Sequence, residues 1–405
     1  MNDDELRPEL ELILAACVPR GAASSRGPTP RARVHELVGA DLDYDFLLEL
    51  AARHRVGPLV CRSLMDAGLE RLPPAARARV EGALESIRFR NLVLLRELFA
   101  VLDALESRGI RALPYKGLVL AGTLYDDLSE RQFADLDILV SRAEVPRVLE
   151  VLEEKGYERA EAGGSLPRML ERDCEVPMRR VEPTVLIEVH WEILPPHQAF
   201  GFRLGPFLER LIPGTLAGRA LQVFPPEDLL VLLCVHGGEK HRWMRLQMIC
   251  DVARLFVRHP ALDWELARER ARELGRERTL LLGSYLAWLL LDAPLPGPAL
   301  EATLSKRGVR DHAALVAGRI SRLDGGLPSY ADYRRCLAVA TARERRRGLD
   351  APVRPARGRW LSAVLTPEWA DRQALPLPRG LSFLHYATRP VRLFARHGLG
   401  LLRRA

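Results

Sequence analysis

Lysine is nearly missing from this chain. Of 60 basic residues in 405, only four are lysine, at 116, 155, 240 and 306, so arginine supplies positive charge almost everywhere else. A compact ammonium and a planar guanidinium are not equivalent beside anionic oxygens, so the few retained lysines mark positions worth inspecting. The chain has no Gly-x-x-x-x-Gly-Lys-Ser/Thr loop, no Gly-x-Ser-x-Gly elbow and no His-Glu-x-x-His. These absences exclude a P-loop nucleotide hydrolase, a nucleophile-elbow hydrolase and a zincin protease. The six cysteines, at 17, 61, 174, 234, 250 and 336, lack Cys-x-x-Cys spacing and lie mostly in apolar helical contexts. They read as reduced core thiols, with no zinc site. The longest apolar stretch, Leu280 to Leu291, is broken by Gly283-Ser284 and is too short to span a bilayer. No signal peptide is visible in the acidic segment Met1-Asn-Asp-Asp-Glu5, so a cytoplasmic protein is expected. No internal repeat is evident, and Gly163-Gly164 reads as a hairpin or loop rather than a dinucleotide fingerprint.

What is present begins with size. An apolar content of 48% over 405 residues can build two or three cores. The pattern predicts an α+β chain: an N-terminal helical region over 1–95, a mixed-sheet core over 96–215, a helical domain over 216–340 and a basic tail over 341–405. That tail holds 14 Arg against four acids, and is rich in Pro and Gly. It suits a peripheral contact with an anionic membrane surface or with nucleic acid, and equally a solvated or docked tail. Aromatic interleaving of the kind single-strand binding uses is sparse.

The chemistry concentrates in Tyr115-Lys116-Gly117, an apolar stretch, and Arg131-x-x-x-Asp135-Leu136-Asp137-Ile138-Leu139-Val140. Asp-x-Asp alone carries little information, since 21 Asp in this chain predict roughly one such triplet by chance. Two others occur, Asp41-Leu-Asp43 and Asp43-Tyr-Asp45, but they precede Phe46-Leu47-Leu48 and read as a helix cap and first turn. At 135–140, by contrast, Leu136, Ile138 and Val140 alternate with Asp135, Asp137 and Leu139, as in a strand with one apolar face. Both carboxylates then share the other face, about 7 Å apart. A third acid follows in Val185-Leu-Ile-Glu188-Val-His190-Trp-Glu192-Ile193, where the odd positions are apolar and Glu188, His190 and Glu192 point the other way. If the two strands are neighbours, three carboxylates meet. Oxygen ligands so placed suit Mg²⁺ or Mn²⁺, in pairs roughly 4 Å apart that bridge a triphosphate and an attacking oxygen.

Upstream, Ile110-Arg-Ala-Leu-Pro-Tyr115-Lys116 predicts a short edge strand, with Pro114 limiting its pairing. Gly117 then opens a helix in which Leu118, Ala121, Tyr125 and Leu128 mark an apolar stripe. Free N–H groups at its start can take a phosphate, and Gly permits close approach; an ordinary strand–Gly–helix turn has the same sequence. Residues 227–240 predict an apolar helix ending in His236 and Lys240, which at a spacing of four share one face. His236 reads as a core histidine or a site residue. Lys240, His241 and Arg245 could close over a triphosphate or simply complement a helix C-terminus. Asp251, within Leu246-x-x-Ile249-Cys-Asp251, reads as a structural ion-pair partner, an orienting group for Lys240 or Arg245, or a weak metal ligand. Arg179-Arg180 is expected on a strand beside that of Glu188.

Taken together, these residues resemble the uncharacterised nucleotidyltransferase family of the DNA polymerase β-like superfamily. They are similar, more distantly, to nucleotidyltransferase toxins with a Lys-Gly-Gly motif. The resemblance spans about residues 45–260, including a His54-Arg55-Val56-Gly-Pro58-Leu59 helix and the Pro226 to Asp251 region. It implies a polymerase-β-like mixed sheet and Mg²⁺-dependent transfer of a nucleoside monophosphate from NTP to an acceptor hydroxyl. The acceptor would be a small molecule, a glycan, a peptide or RNA. Asp135, Asp137 and Glu188 would be catalytic and hold metal; Lys116, Gly117, Arg131, His190, His236 and Lys240 would contact the nucleotide. One departure is Leu118, where the superfamily often has a small residue. It leaves open a catalytically impaired nucleotide-binding scaffold, or a toxin-like modifier of tRNA or protein.

Overall fold

The computed structural model describes residues 7–22, 28–160, 165–199, 202–320, 375 and 384–388. Gly163-Gly164 and nearly all of the basic tail lie outside the described residues. The N-terminal helices are α1 (Pro8–Cys17), α2 (Pro30–Leu37), α3 (Tyr44–Arg53), α4 (Gly57–Ala67) and the 34-residue α5 (Pro74–Ser107). The central region follows as β1 (Leu113–Pro114), α6 (Gly117–Leu124), β2 (Asp135–Leu139), α7 (Val145–Glu154), β3 (Glu158–Arg159), α8 (Leu166–Arg172), β4 (Glu175–Arg180) and β5 (Val185–His190). Two short helices, α9 (Pro196–Ala199) and α10 (Gly205–Leu208), lead to a hairpin of β6 (Ile212–Leu216) and β7 (Arg219–Val223). The C-terminal helices are α11 (Pro226–Val235), α12 (Leu246–Arg258), α13 (Trp264–Glu273), α14 (Glu277–Leu291), α15 (Gly297–Leu304) and α16 (Arg307–Ile320). No described helix is long and apolar enough to cross a membrane.

The five-stranded sheet has the order β1-β2-β5-β4-β3, with β2 and β5 parallel and the other pairs antiparallel. It is the mixed α+β sheet that the alternating residues predicted. Leu136, Ile138 and Val140, with Val185, Ile187 and Val189 and with Val176 and Met178, form one buried face. Against it pack Leu94, Leu98, Val101 and Leu105 of α5 and Val145, Val148 and Leu149 of α7. Each such side chain contributes about 1.5–3 kcal/mol by leaving water. A one-residue slip would turn this whole set outward, so core burial fixes the register that aligns the acids on the opposite face. Strand β1 stands at the sheet edge, where the missing N–H of Pro114 leaves no ladder bond unmade.

A second core unites helices from both ends of the chain: Leu12, Leu47 and Val60 lie in one cluster with Leu230, Ile249, Leu281 and Val316. The N-terminal and C-terminal helical regions therefore share their interior. Helix α5 crosses between the cores, with Ala76 and Val80 in the helical one and Leu94 to Leu105 in the sheet one. Helix α6 is wedged between them. It is buried on both sides rather than amphipathic, with Leu118, Val119 and Ala121 facing the sheet core and Leu120 and Leu124 the helical core.

Local details follow their chemistry. Asp43 caps α3 by accepting from the N–H of Phe46 at 3.0 Å, as expected for the acids that precede it. The expected helix over His54 to Leu59 is instead a break, because Arg55 takes a positive φ of 54° and α4 starts at Gly57. That break lets His54 Nδ1 accept from the N–H of Leu246, at the start of α12, at 3.3 Å. Its Nε2 lies 3.0 Å from the carbonyl of Ile320, so both ring nitrogens are engaged when the ring is neutral.

Burial lowers the pKa of His54 to about 4. A depressed histidine stabilises the fold fully above its unfolded value near 6.5, and that contribution is lost as pH falls toward 4. Protonation must also break the bond from Leu246. Unfolding free energy from urea titration is expected to drop by about 2 kcal/mol between pH 7 and pH 5 through this group. His54→Gln should lose that increment, and an unchanged pH slope in the variant would show that His54 is not the titrating group.

Candidate active site

The polar face of the sheet gathers its acids by strand register. In the parallel pair, Asp137 lies directly opposite Glu188, Asp135 opposite Leu186 and Leu139 opposite His190. In the antiparallel pair on the other side of β5, Glu175 lies opposite His190. Asp135, Asp137, Glu188, His190 and Glu175 therefore line one face across three adjacent strands.

His190 sits at the centre, with its side chain wholly buried. Its Nε2 is 2.9 Å from Asp137 Oδ1 and 3.2 Å from Glu188 Oε2. On the other side, Nδ1 is 3.0 Å from Glu175 Oε2, an ion pair set off the line of a hydrogen bond. Burial alone would lower its pKa, but Glu175 and Asp137 reverse the sign and hold the ring as an imidazolium well above the usual histidine range. Lys116 Nζ lies 2.7 Å from Asp137 Oδ1, and Lys240 pairs with Glu175. Burial opposes ionisation of Asp137 as well, yet Lys116 and His190 hold it far below the ordinary carboxylate range. Asp135 goes the other way: burial, then the neighbouring charges of Asp137 and Glu188, raise its pKa. Four acids thus face three cations.

The Lys116-Gly117 turn is strained toward this cluster. Lys116 has φ 55° and Gly117 φ 29°, and a Cβ added at Gly117 would lie 3.5 Å from the carbonyl of Asp135 and 3.9 Å from Asp137 Oδ2. Those distances are ordinary contacts, so it is the positive φ that favours glycine at this turn beside the acids. Leu120 N–H bonds to the carbonyl of Lys116, so the preceding N–H groups have no acceptor further up the helix. The Leu118 side chain is buried in the sheet core, which leaves the cradle to the backbone.

A clamp fixes the turn from behind. Arg131, expected on the nucleotide phosphates, is buried, and its Nε and Nη2 each meet Asp251 at 2.9 Å. Its Nη1 donates to the carbonyl of Gly117 at 3.3 Å. Tyr125 donates its hydroxyl to Asp251 Oδ1 at 2.7 Å. Asp251 is thus the structural ion-pair partner anticipated for it, with Arg131 rather than Lys240 or Arg245.

The wall from the C-terminal helices differs from the expected helix over 227–240. Helix α11 stops at Val235, and His236–Lys240 forms a π-turn in which His241 N–H bonds to the carbonyl of His236. Within a π-turn, residues five apart come together instead of four. His236 accordingly meets His241, with Nε2 atoms 3.1 Å apart, while its Nε2 also lies 3.3 Å from Lys116 Nζ. Burial and the neighbouring cations keep His236 neutral, able to accept from Lys116. Burial lowers His241 to about 3.

Glu175, Arg55 and Tyr115 carried no role on sequence grounds alone, whereas Arg245 was expected either over a triphosphate or at a helix C-terminus. Glu175 was legible in principle, since Val176 and Met178 alternate with it and place it on the acid face. Arg55 and Arg245 both act on Asp135 electrostatically, and neither guanidinium makes a hydrogen bond among the described residues. Tyr115 packs edge-on to His190, ring centroids 5.2 Å apart, and its buried hydroxyl has no hydrogen-bond partner among the described residues. No sequence pattern brings Arg55 or Tyr115 to the acids.

Ligand atoms of Asp137, Glu188 and His190 lie within 4.8 Å of one another, as do those of Cys174, Glu175 and His190. The oxygen-rich set suits a hard divalent cation, with His190 acting as a hydrogen-bonding imidazolium between the acids. A family model described as uncharacterised nucleotidyltransferase matches residues 40–292, which is most of the chain and includes every one of these residues. The chain belongs to that family. No curated protein matches it.

Because Arg131 is buried with one carboxylate partner, neutralising that partner strands its charge. Asp251→Asn is expected to lower unfolding free energy by about 3 kcal/mol in urea titration. A loss under about 1 kcal/mol would mean that the pair is not holding the two cores together.

Proposed function

From membership of the nucleotidyltransferase family, we propose that this protein moves a nucleoside monophosphate from an NTP to an acceptor hydroxyl and releases pyrophosphate. The observation that carries the reading is the register of β2 and β5, which sets Asp137 opposite Glu188 with Asp135 on the same face beneath the Gly117 turn. Asp135, Asp137 and Glu188 are the residues to hold Mg²⁺ or Mn²⁺. Such an ion supplies neutralisation of the charge on the triphosphate. The raised pKa of Asp135, caused by burial and the neighbouring acids, fits a site built to receive positive charge.

The protein's own groups do the remaining work in this reading. Backbone N–H groups at the start of α6 receive a phosphate oxygen, with Gly117 allowing the approach. Lys116 and Lys240 stand beside the acids, and Arg55 and Arg245 flank Asp135, so cationic side chains surround the place where the triphosphate lies. The acceptor oxygen attacks the α-phosphorus as the bond to the β-phosphate oxygen breaks, and Glu188 takes the acceptor proton. His190 holds Asp137 and Glu188 in place from below, and Arg131 keeps the cradle in position through the carbonyl of Gly117. Burial of Leu118 in the core favours the enzyme over an impaired scaffold, because its side chain does not fill the cradle. The acceptor is a small molecule, glycan, peptide or RNA, and the proposed setting is the cytoplasm.

Incubation with Mg²⁺, cell extract and each α-labelled NTP in turn should transfer label to an acceptor. Asp137→Asn should lower transfer by at least about 100-fold while thermal unfolding stays cooperative. Unchanged NTP consumption in that variant would sink the assignment.

A further inference from the structure

A cavity of about 540 Å³ opens between α1, α2, α4 and α12, and none of the residues assigned to nucleotidyl transfer lines it. Its volume is that of a small-molecule site. Apolar side chains including Ala16, Val34, Leu59 and Leu124 form part of its wall, and the charged lining is predominantly arginine. The three acids in the lining are already paired: Arg20 reaches Asp66, Asp126 and Glu130 at 3.3, 3.5 and 3.9 Å, and Arg258 reaches Asp126 at 2.5 Å. Arg31, which is exposed, half-buried Arg62 and buried Arg254 form no ion pair among the described residues, though Asp127 acts at longer range on Arg62 and Glu130 on Arg254. Arg254 is more than nine-tenths buried, with one bond to the carbonyl of Cys17 at 3.1 Å. Three guanidiniums without a direct carboxylate contact around a partly apolar hollow suit an anion on an apolar body.

We propose that this cavity binds a small organic anion, a phosphate or carboxylate, and that its occupancy is transmitted to the Gly117 turn. The connection is continuous. The Arg254 guanidinium lies 4.5 Å from the centroid of the Tyr125 ring, and Tyr125 bonds Asp251. Asp251 holds Arg131, which holds the carbonyl of Gly117. A ligand that draws on Arg254 therefore acts on the element that positions the cradle. The ligand is an effector rather than the acceptor, because it touches none of the acids on the sheet. Its regulatory meaning rests on the nucleotidyl-transfer reading of that turn; its binding does not.

Calorimetric titration of the full chain with phenyl phosphate and with benzoate separates the two anion types. Saturable binding of at least one is expected, weakened about tenfold or more when Arg31 and Arg62 are both changed to Ala. Asp137→Asn should leave it unchanged. Absence of saturable binding by both probes, or binding indifferent to the double substitution, would overturn the site. Loss of binding in Asp137→Asn would assign the anion to the sheet face instead. Hydrogen exchange reads the transmission: amides of residues 117–125 should slow on saturation in the parent chain. They should not slow in Tyr125→Phe, which still binds the probe. Exchange unaltered in the parent chain would remove the transmission, whatever the outcome of the transfer assay.

Discussion

The ion pair of Arg131 with Asp251 is the interaction on which the arrangement of this molecule depends. It joins the segment leading into β2 to a helix of the other core, and through Nη1 it reaches the turn that begins α6. A bidentate pair fixes direction as well as distance, since the guanidinium plane must match the carboxylate. The same plane leaves a third N–H pointing at Gly117. Buried pairs of this kind contribute little net stability compared with apolar packing, so their value here lies in where they place the backbone. Asn91 supports the segment from α5, donating to the carbonyls of Leu128 and Arg131 at 2.7 and 3.1 Å. Gln247 of α12 does the same for Gln132 at 2.7 Å. The strand bearing the two aspartates is therefore tethered to both helical layers before it enters the sheet.

Charge at the sheet face follows from that placement. Each acid except Asp135 has a cation against it: Asp137 has Lys116 and His190, Glu175 has Lys240 and His190, and Glu188 has His190. Such a cluster is tolerated in a buried setting because opposite charges alternate across the strands. Asp135 makes no ion pair among the described residues, and burial together with the charges of Asp137 and Glu188 raises its pKa. Two of the four lysines in the whole chain are found here. Each ammonium meets one carboxylate and needs no planar fork, which is a task suited to lysine.

How far the sequence foretold this depends on the range of each signal. Alternation within β2 and β5 was readable because a strand's faces are set by local period, and the adjacency of the two strands then aligned Asp137 with Glu188. The cap at Asp43 was readable for the same reason. Contacts between distant segments were not: the partnership of Arg131 with Asp251 spans 120 residues, and that of Lys240 with Glu175 spans 65. Arg131 followed by three residues and Asp135 looked like a phosphate ligand beside its acids. In the fold its guanidinium points inward instead, held by the carboxylate of Asp251 and the carbonyl of Gly117.

The π-turn illustrates a further kind of constraint, in which packing overrides local pattern. Trp243 is buried, and a Cβ at Gly237 would come within 2.7 Å of its ring, while one at Gly283 would come within 2.8 Å of the ring and 2.5 Å of Cys234 Sγ. The two glycines thus hollow out a socket for one indole. To reach it, the chain takes positive φ at both Arg242 and Trp243, and the end of α11 widens over His236–Lys240. An α-helical continuation would have stacked His236 over Lys240; the wider turn stacks it over His241. The same His236 Nε2 that meets His241 then faces Lys116, and Lys240 meets Glu175. The glycine in the middle of the apolar stretch of α14, which on its own is a poor helix residue, is therefore part of what sets the wall of the site.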